Sequence, residues 1–140
     1  MKLILSTIVG GIVFFILGWI FYGMIFMNFM HDNFSGMMRA PDDFKMWAIA
    51  VANLLQAFFL ALIYPKGYKG GSPVKEGFMF GIYFGLLSGA PYVFYMWASY
   101  PVNWQAALID GVIVAIMTVI VGLVIGLIYG RIGVKPASAA

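Results

Sequence analysis

Four apolar stretches, each long enough to cross a lipid bilayer, are the feature that most constrains this chain. A transmembrane helix needs about 20 consecutive, mostly apolar residues. Four segments meet that requirement: residues 3–30, 44–64, 74–97 and 104–129. Because hydrocarbon offers no hydrogen bonds to the backbone, a single spanning segment has to be helical. The sequence therefore predicts an all-α fold, a four-helix transmembrane bundle that forms one domain over residues 1–140.

The composition agrees with an exterior that faces lipid. Only 9% of the residues are charged, 64% are hydrophobic and the mean hydropathy is +0.98, whereas soluble domains carry about 25% charged residues. Blocks of basic residues that would follow a phosphate backbone are absent from the sequence, so we expect no nucleic-acid partner. The chain has no cysteine, which excludes disulfides and thiolate metal sites. The first apolar run is longer than the roughly 7–15 residues of a signal peptide core, which predicts an uncleaved span.

The loops carry signals for the start of two helices. Ser72 precedes Pro73, and Asn103 precedes the fourth span. Serine and asparagine are preferred at helix N-caps, and proline is favoured at the first helical position. We therefore expect the third helix to begin at Pro73 and the fourth just after Asn103.

The placement of lysine and arginine predicts the orientation of the spans. Basic residues in short loops favour the cytoplasmic side of a membrane. Six of them fall on one side of the predicted bundle: Lys2, Lys66, Lys69, Lys75, Arg131 and Lys135. Arg39 and Lys45 fall on the other side. We expect both termini to be cytoplasmic, with an aromatic belt at the outer interface formed by Trp47, Trp97, Tyr100 and Trp104.

Glycines recur every four residues along the last two spans. The stripe in the third span is Gly77, Gly81, Gly85 and Gly89, and the stripe in the fourth span is Gly122, Gly126 and Gly130. Residues four apart lie on one side of a helix, and small residues let two helix backbones approach closely in lipid. The stripes therefore predict packing faces. They serve either contacts within one bundle or an interface between copies in a homo-oligomer.

Polar side chains fall at a similar predicted depth in the outer leaflet. Asn53 and Asp110 each lie six residues after a tryptophan of the predicted belt, which is about 9 Å along a helix. Ser88 and Tyr92 are near the same level, and Gln56 is one turn deeper. Asp110 is the only acidic or basic residue well inside a span, so it has to be protonated, hydrogen-bonded or reached by water.

Three interpretations of this polar layer stay open. In the first, Asp110 belongs to a structural network and bonds to Asn53 or Tyr92. In the second, an outward-facing pocket takes a proton, a cation or a small polar solute. In the third, Asp110 is shallow enough to reach water at the lipid headgroups.

The outer end of the first span is rich in methionine and contains the only histidine. Met27, Met30 and His31 carry the thioether and imidazole groups that suit Cu(I). Their spacing is not a defined motif, and methionine commonly fills gaps in apolar surfaces. We expect lipid-facing packing, with no metal and no cofactor, and keep weak copper binding as the alternative. Signature motifs of hydrolases, metallopeptidases and P-loop proteins are absent from the sequence, so we expect no enzymatic activity.

Two segments resemble a family of membrane proteins. GWIFYGMIFMNFMHD, at residues 18–32, and IDGVIVAIMTVIVGLVIGLIYG, at residues 109–130, are similar to small four-span inner-membrane proteins of bacteria, especially the Bacteroidetes. The last helix of those proteins also begins with an acidic residue, which Asp110 matches. The resemblance implies a bacterial inner-membrane location and this fold, and it implies no activity.

Two functional hypotheses follow from the sequence. The leading one is a non-enzymatic, self-associating scaffold or accessory subunit, whose partners are membrane lipid, copies of itself and another intramembrane protein. The competing one is a small transporter or channel that uses Asp110, Asn53, Gln56 and Tyr92. Access of water to Asp110 distinguishes them, because a scaffold requires only a dry, fully paired carboxylate.

Overall fold

The computed structural model describes residues 1–131, and Lys135, which contributes to the predicted orientation, lies outside them. The described part is helical and contains no strand. Its five α-helices are α1 (Lys2–Ile20), α2 (Met27–Phe34), α3 (Met46–Gly67), α4 (Pro73–Ser99) and α5 (Trp104–Arg131). Four helical segments are long and apolar enough to cross a membrane: Lys2–Ile25, Met46–Gly67, Pro73–Ser99 and Trp104–Arg131. The prediction of an all-α chain with four long apolar helices is confirmed.

The first predicted span is not one uniform helix. A π-helical turn follows α1 at Phe21–Ile25, where the amide of Phe26 donates to the carbonyl of Phe21 at 2.8 Å. The helix then breaks at Phe26, whose φ and ψ are −106° and 14°, before α2 begins. Because α2 contains two asparagines, a histidine and an aspartate, it is poorly suited to hydrocarbon. The break separates the apolar span from this more polar continuation.

The two predicted helix starts use different capping groups. The side chain of Asn103 accepts a hydrogen bond from the amide of Ala106 at 2.7 Å, which confirms it as a cap of α5. Ser72 occupies the N-cap of α4 and Pro73 follows it, but the serine side chain makes no capping hydrogen bond. The carboxylate of Glu76 instead accepts bonds from amides of the preceding loop, at 2.8 Å and 2.6 Å.

α5 is the central helix of the bundle. It packs along α4 on one side and against α1 and α3 on the other, and α1 also packs along α3. Within an apolar window of 18 residues in each span, the buried share is 44% for α5, against 22%, 17% and 28% for the spans of α1, α3 and α4. The remaining surface of these spans is largely apolar, as expected for helices that face lipid.

The contact between α4 and α5 brings the two backbones together. A Cβ added at Gly81 would lie 2.6 Å from the Cα of Val119, and one added at Gly126 would lie 2.7 Å from the Cα of Gly77. The other glycines whose added Cβ would come within 3.0 Å of the facing helix are Gly77, Gly85, Gly89, Gly111, Gly122 and Gly130. Real Cβ atoms essentially never approach so closely. Side chains larger than hydrogen therefore cannot be accommodated at these positions without a shift of the helices.

A hydrogen bond from α5 compensates for a proline in α3. Pro65 lies inside α3, and because proline has no backbone N–H, the carbonyl of Ala61 lacks its usual intrahelical donor. The hydroxyl of Tyr129 donates to that carbonyl at 2.7 Å. Ala61 is completely buried, so water cannot take the place of this donor. This hydrogen bond joins α5 to α3 and gives the Ala61 carbonyl the donor that Pro65 cannot supply.

Candidate functional site

A cavity of about 530 Å³ opens between α1, α2, α3 and α5, at the end of the bundle that holds α2 and the loop after it. We call it the Asp110 cavity. Its polar side chains are those of Tyr22, Asn53, Tyr92 and Asp110. The rest of its wall is mainly apolar and includes Trp19, Phe34, Phe44, Ile49 and Met117. The cavity thus combines a large apolar wall with one cluster of four polar side chains.

Both carboxylate oxygens of Asp110 are hydrogen-bonded. The hydroxyl of Tyr22 donates to Oδ1 at 2.7 Å, and the hydroxyl of Tyr92 donates to Oδ2 at 2.7 Å. These distances are usual for O–H···O bonds. Asp110 is 7% exposed, so this cluster lies at the floor of the cavity. It joins the π-helical turn after α1 to α4 and α5.

The structure places three of the predicted polar residues together and adds one that the sequence analysis missed. Asp110, Asn53 and Tyr92 all line the same cavity. Tyr92 is one of the two predicted partners of Asp110, whereas Asn53 makes no hydrogen bond with it among the described residues. Tyr22 is the missed partner. The sequence offered one signal for it, a phenol hydroxyl flanked by Gly18 and Gly23 in an otherwise apolar segment.

The π-helical turn at Phe21–Ile25 orients the side chain of Tyr22 toward Asp110. A π-helical turn has one residue more than the α-helical turn that it replaces, and such turns occur frequently at functional sites. Tyr22 lies within this turn. Its direction therefore depends on a local irregularity of the backbone that regular helical spacing does not predict.

Gln56 and Ser88 belong to a different place. They line a second cavity of about 240 Å³, together with Thr118 of α5 and apolar side chains of α3 and α4. The hydroxyl of Ser88 donates to the carbonyl of Phe84 at 2.8 Å, so it is engaged within its own helix. Three residues advance a helix by about 300°, which leaves Gln56 rotated by about 60° from Asn53. Similar depth in the membrane therefore does not bring all five predicted polar residues together.

Of the three predicted copper ligands, Met30 alone lines the Asp110 cavity. Met30 is 6% exposed and lines the Asp110 cavity, which Met27 and His31 do not. Met27 is 55% exposed, and the histidine side chain lies on the surface beside Asp32, with 3.7 Å between Nδ1 and Oδ1. Over residues 1–131, no group of three or more His, Cys, Asp or Glu side chains is arranged to hold a metal ion.

An ion-pair cluster fastens the loop beside the cavity. Lys45 and Arg39 both donate hydrogen bonds to the carboxylate of Asp43, and they hold the pKa of that carboxyl below its usual value of 3.8. The neighbouring side chains of Met38 and Phe44 line the Asp110 cavity. The two cations pair with Asp43 rather than with Asp110. Within the part of the chain that the structure describes, Asp110 has no cationic partner.

Comparison with protein-family models, with curated proteins and with solved structures finds no match for this chain. Its function has to be inferred from the geometry of the Asp110 cavity. The resemblance to four-span proteins of bacteria stays a prediction.

Proposed function

We propose that this protein is a non-enzymatic, multi-pass protein of the bacterial inner membrane that binds a small solute in the Asp110 cavity. The observation that carries this proposal is a buried carboxylate at the floor of a cavity of about 530 Å³. Ligand pockets typically measure about 300–1,000 Å³ and combine apolar walls with a few convergent polar groups. A purely structural network needs no adjoining space, because protein interiors are otherwise close-packed.

The proposed orientation makes this cavity accessible from outside the cell. The excess of lysine and arginine in the loops near the termini and between α3 and α4 supports cytoplasmic termini. In that orientation the cavity lies in the outer leaflet, because Phe34, Met38 and Phe44 in its wall belong to the first outer loop or its flanks. A solute would therefore arrive from the outer aqueous phase or from the outer leaflet.

The polar groups of the cavity support a proton, a cation or a small polar solute as the ligand. The carboxylate of Asp110 attracts positive charge, and the side-chain amide of Asn53, half-buried in the same wall, makes no hydrogen bond among residues 1–131. A small transporter or channel is the functional class that such a site serves. In a transporter, this open cavity would correspond to the outward-facing state.

The scaffold hypothesis receives less support from the geometry. The glycine stripes of α4 and α5 face each other within one chain, as the short distances from Gly81 and Gly126 to the facing backbone indicate. We propose that these stripes serve packing within the chain. A homo-oligomer or an intramembrane partner would then have to use the lipid-facing sides of the helices, and both stay predictions.

Cysteine accessibility tests the proposed function directly, because the chain contains no cysteine of its own. The variant Asn53→Cys places a thiol in the wall of the Asp110 cavity, and the matched control Gln56→Cys places one in the second cavity three residues later. Intact cells are treated with a membrane-impermeant, positively charged methanethiosulfonate. We expect rapid labelling at position 53 and slow labelling at position 56, since the reaction needs water at the thiol and Gln56 lies one turn deeper in the predicted span.

Two results would contradict the proposal. Equal protection of both thiols in intact cells and in inverted vesicles, with full labelling after denaturation, would show that the cavity is closed to solutes. Labelling at position 53 in inverted vesicles alone would contradict the outward orientation. Asp110→Asn in the Asn53→Cys background should leave the protein folded and slow the cationic reagent, because the attracting charge is gone.

A further inference from the structure

The carboxyl group of Asp110 has two hydrogen bonds but no partner of opposite charge among the described residues. Both donors are neutral hydroxyls, from Tyr22 and Tyr92, and none of the ion pairs in the described residues includes Asp110. A carboxylate has about four acceptor sites, so two remain for other donors. A charge at this depth in a membrane is costly unless a proton or a cation accompanies it. The site is therefore built to accept positive charge.

The composition of the wall restricts what kind of cation fits. An inorganic ion such as Ca²⁺ requires about six to eight oxygen ligands, whereas this cavity offers one carboxylate, one amide and two hydroxyls. A sugar-like solute would need hydrogen-bond partners over its whole surface. Most of the wall cannot supply them, since it consists of side chains such as Phe34, Met46, Ile49 and Met117.

Aromatic side chains in the wall add a second attraction for organic cations. Phe15, Trp19 and Phe44 line the cavity, and the faces of such rings attract cations within about 6 Å. Methionine side chains adapt to varied apolar shapes, and Met30, Met38 and two further methionines lie in the same wall. An occupant with an apolar body and one positive charge would satisfy both parts of the cavity at once.

We propose that the Asp110 cavity binds a lipophilic organic cation, a water-borne molecule with apolar or aromatic substituents around one ammonium or phosphonium centre. This inference rests on the proposed solute-binding function and names the class of its ligand. The positive centre lies near the Asp110 carboxylate, and the apolar substituents lie against the methionines and aromatic rings. Asn53 offers a further polar contact at the edge of the charged centre.

Tetraphenylphosphonium and tetraphenylborate provide a matched pair of probes, because they share shape and size and differ in the sign of their charge. Binding of each to the purified full-length protein in detergent micelles is measured by isothermal titration calorimetry. We expect saturable binding of tetraphenylphosphonium and no saturable binding of tetraphenylborate. Asp110→Asn should weaken tetraphenylphosphonium binding by about 10-fold or more, since a close partner of opposite charge is removed.

Two further variants separate the charge from the cavity and from the overall fold. Ile49→Trp fills the cavity and leaves Asp110 intact, at a side chain that is already 38% exposed, so it should weaken binding without unfolding the protein. Asp32→Asn removes an exposed carboxylate that lies beside His31 outside the cavity, and it should leave binding unchanged. The helical circular dichroism of each variant verifies the fold.

The outcomes distinguish this inference from the proposed function. Equal binding of both probes, or unchanged binding in Asp110→Asn, would mean simple partitioning into apolar surface and would overturn the inference. Absence of tetraphenylphosphonium binding, combined with rapid labelling of Asn53→Cys, would overturn it and leave the solute site in place. Displacement of tetraphenylphosphonium by phosphatidylethanolamine mixed into the detergent micelles would overturn the inference and assign the cavity to a lipid amine instead. If tetraphenylphosphonium does not bind and Asn53→Cys is not labelled in intact cells, the proposed solute-binding function is contradicted as well.

Discussion

The two sides of α5 are built in opposite ways. Toward α4, glycines bring the backbones so close that an added Cβ at Gly81 would lie 2.6 Å from Val119. Toward α1 and α3, the helices separate at one end of the bundle around a cavity of about 530 Å³ with Asp110 at its floor. Close backbone contact is a main source of helix association in lipid, so the seam between α4 and α5 can hold the bundle while the opposite side stays open at that end. The difference shows how a chain of 140 residues combines a firm core with room for a ligand.

The contents of the two sides differ as much as their spacing. The closest contacts of the seam are mostly with main-chain atoms, with side-chain contacts at Val93 and Pro73, whereas the cavity is lined by long, adaptable side chains and a hydrogen-bonded carboxylate. The π-helical turn at Phe21–Ile25 lies on the cavity side. We expect substitutions in the seam to change stability and substitutions in the cavity to change binding.

Gly81→Ile should have the largest effect, because it forces a branched side chain into the backbone of α5 at Val119. Overpacking of this kind costs about 3 kcal/mol or somewhat more. Thermal unfolding in detergent micelles, followed by circular dichroism, measures the loss. Gly36→Ala is the control, because nothing lies within 4 Å of an added Cβ there. Similar melting temperatures for both variants would contradict the close seam.

Asp110→Leu should come next, with a loss of about 2 kcal/mol. The substitution leaves the hydroxyls of Tyr22 and Tyr92 without their acceptor, and an unsatisfied buried donor costs about 1–3 kcal/mol. Asp110→Asn retains one acceptor oxygen and should lose less. The same unfolding measurement compares the two variants. If Asp110→Asn unfolds as readily as Asp110→Leu, the hydrogen bonds of this cluster do not stabilise the bundle.

Variants of Tyr129 and Pro65 test the hydrogen bond from Tyr129 to the Ala61 carbonyl, which joins α5 to α3 at the end of the bundle away from the cavity. Tyr129→Phe removes the donor to the Ala61 carbonyl and should cost about 1 kcal/mol. Pro65→Ala restores an amide that can bond to the same carbonyl within α3. In the Pro65→Ala background, Tyr129→Phe should therefore cost measurably less. A double-mutant cycle of unfolding free energies measures the coupling, and strict additivity would mean that the tyrosine does not compensate for the proline.

Asp43 should give the smallest effect, because its ion pairs lie at the surface beside the cavity. The hydrogen bonds from Lys45 and Arg39 lower the pKa of Asp43 below 3.8 in the folded protein. A depressed carboxyl pKa stabilises the fold above the unfolded value and ceases to do so as the pH falls through the folded value. Asp43→Asn should therefore melt slightly lower than the original protein near pH 6, and the difference should disappear as the pH falls below about 3.8.

Much of the fold follows from local sequence because long apolar stretches have to be helical wherever they cross a membrane. The four apolar stretches predict the long helices. The starts of α4 and α5 follow from local signals, a proline at the first position of α4 and the Asn103 cap before α5. The interruption after α1 does not follow in this way. The π-helical turn at Phe21–Ile25 has the same apolar composition as the regular helix before it, so hydropathy alone cannot reveal it.

The candidate site was predictable only in part. Asp110 stands out because a carboxylate inside a span is costly, and Tyr92 follows from its depth in the facing helix. Tyr22 is separated from Asp110 by 88 residues and reaches it through an irregular turn. Gln56 is assigned to the other cavity by its rotation on α3. Depth along the membrane is a property of each helix, whereas the direction of a side chain depends on how helices rotate against one another.

The sequence by itself determined that the chain forms long apolar helices, that small residues recur along two of them, and that one carboxylate lies within an apolar stretch. Only the tertiary structure decided that glycines of α4 and α5 lie close to the backbone of the facing helix and that Asp110 lies between Tyr22 and Tyr92 at the floor of a cavity. The physical reason is that hydropathy and spacing act within one helix. Pairing between helices depends instead on the simultaneous fit of several surfaces.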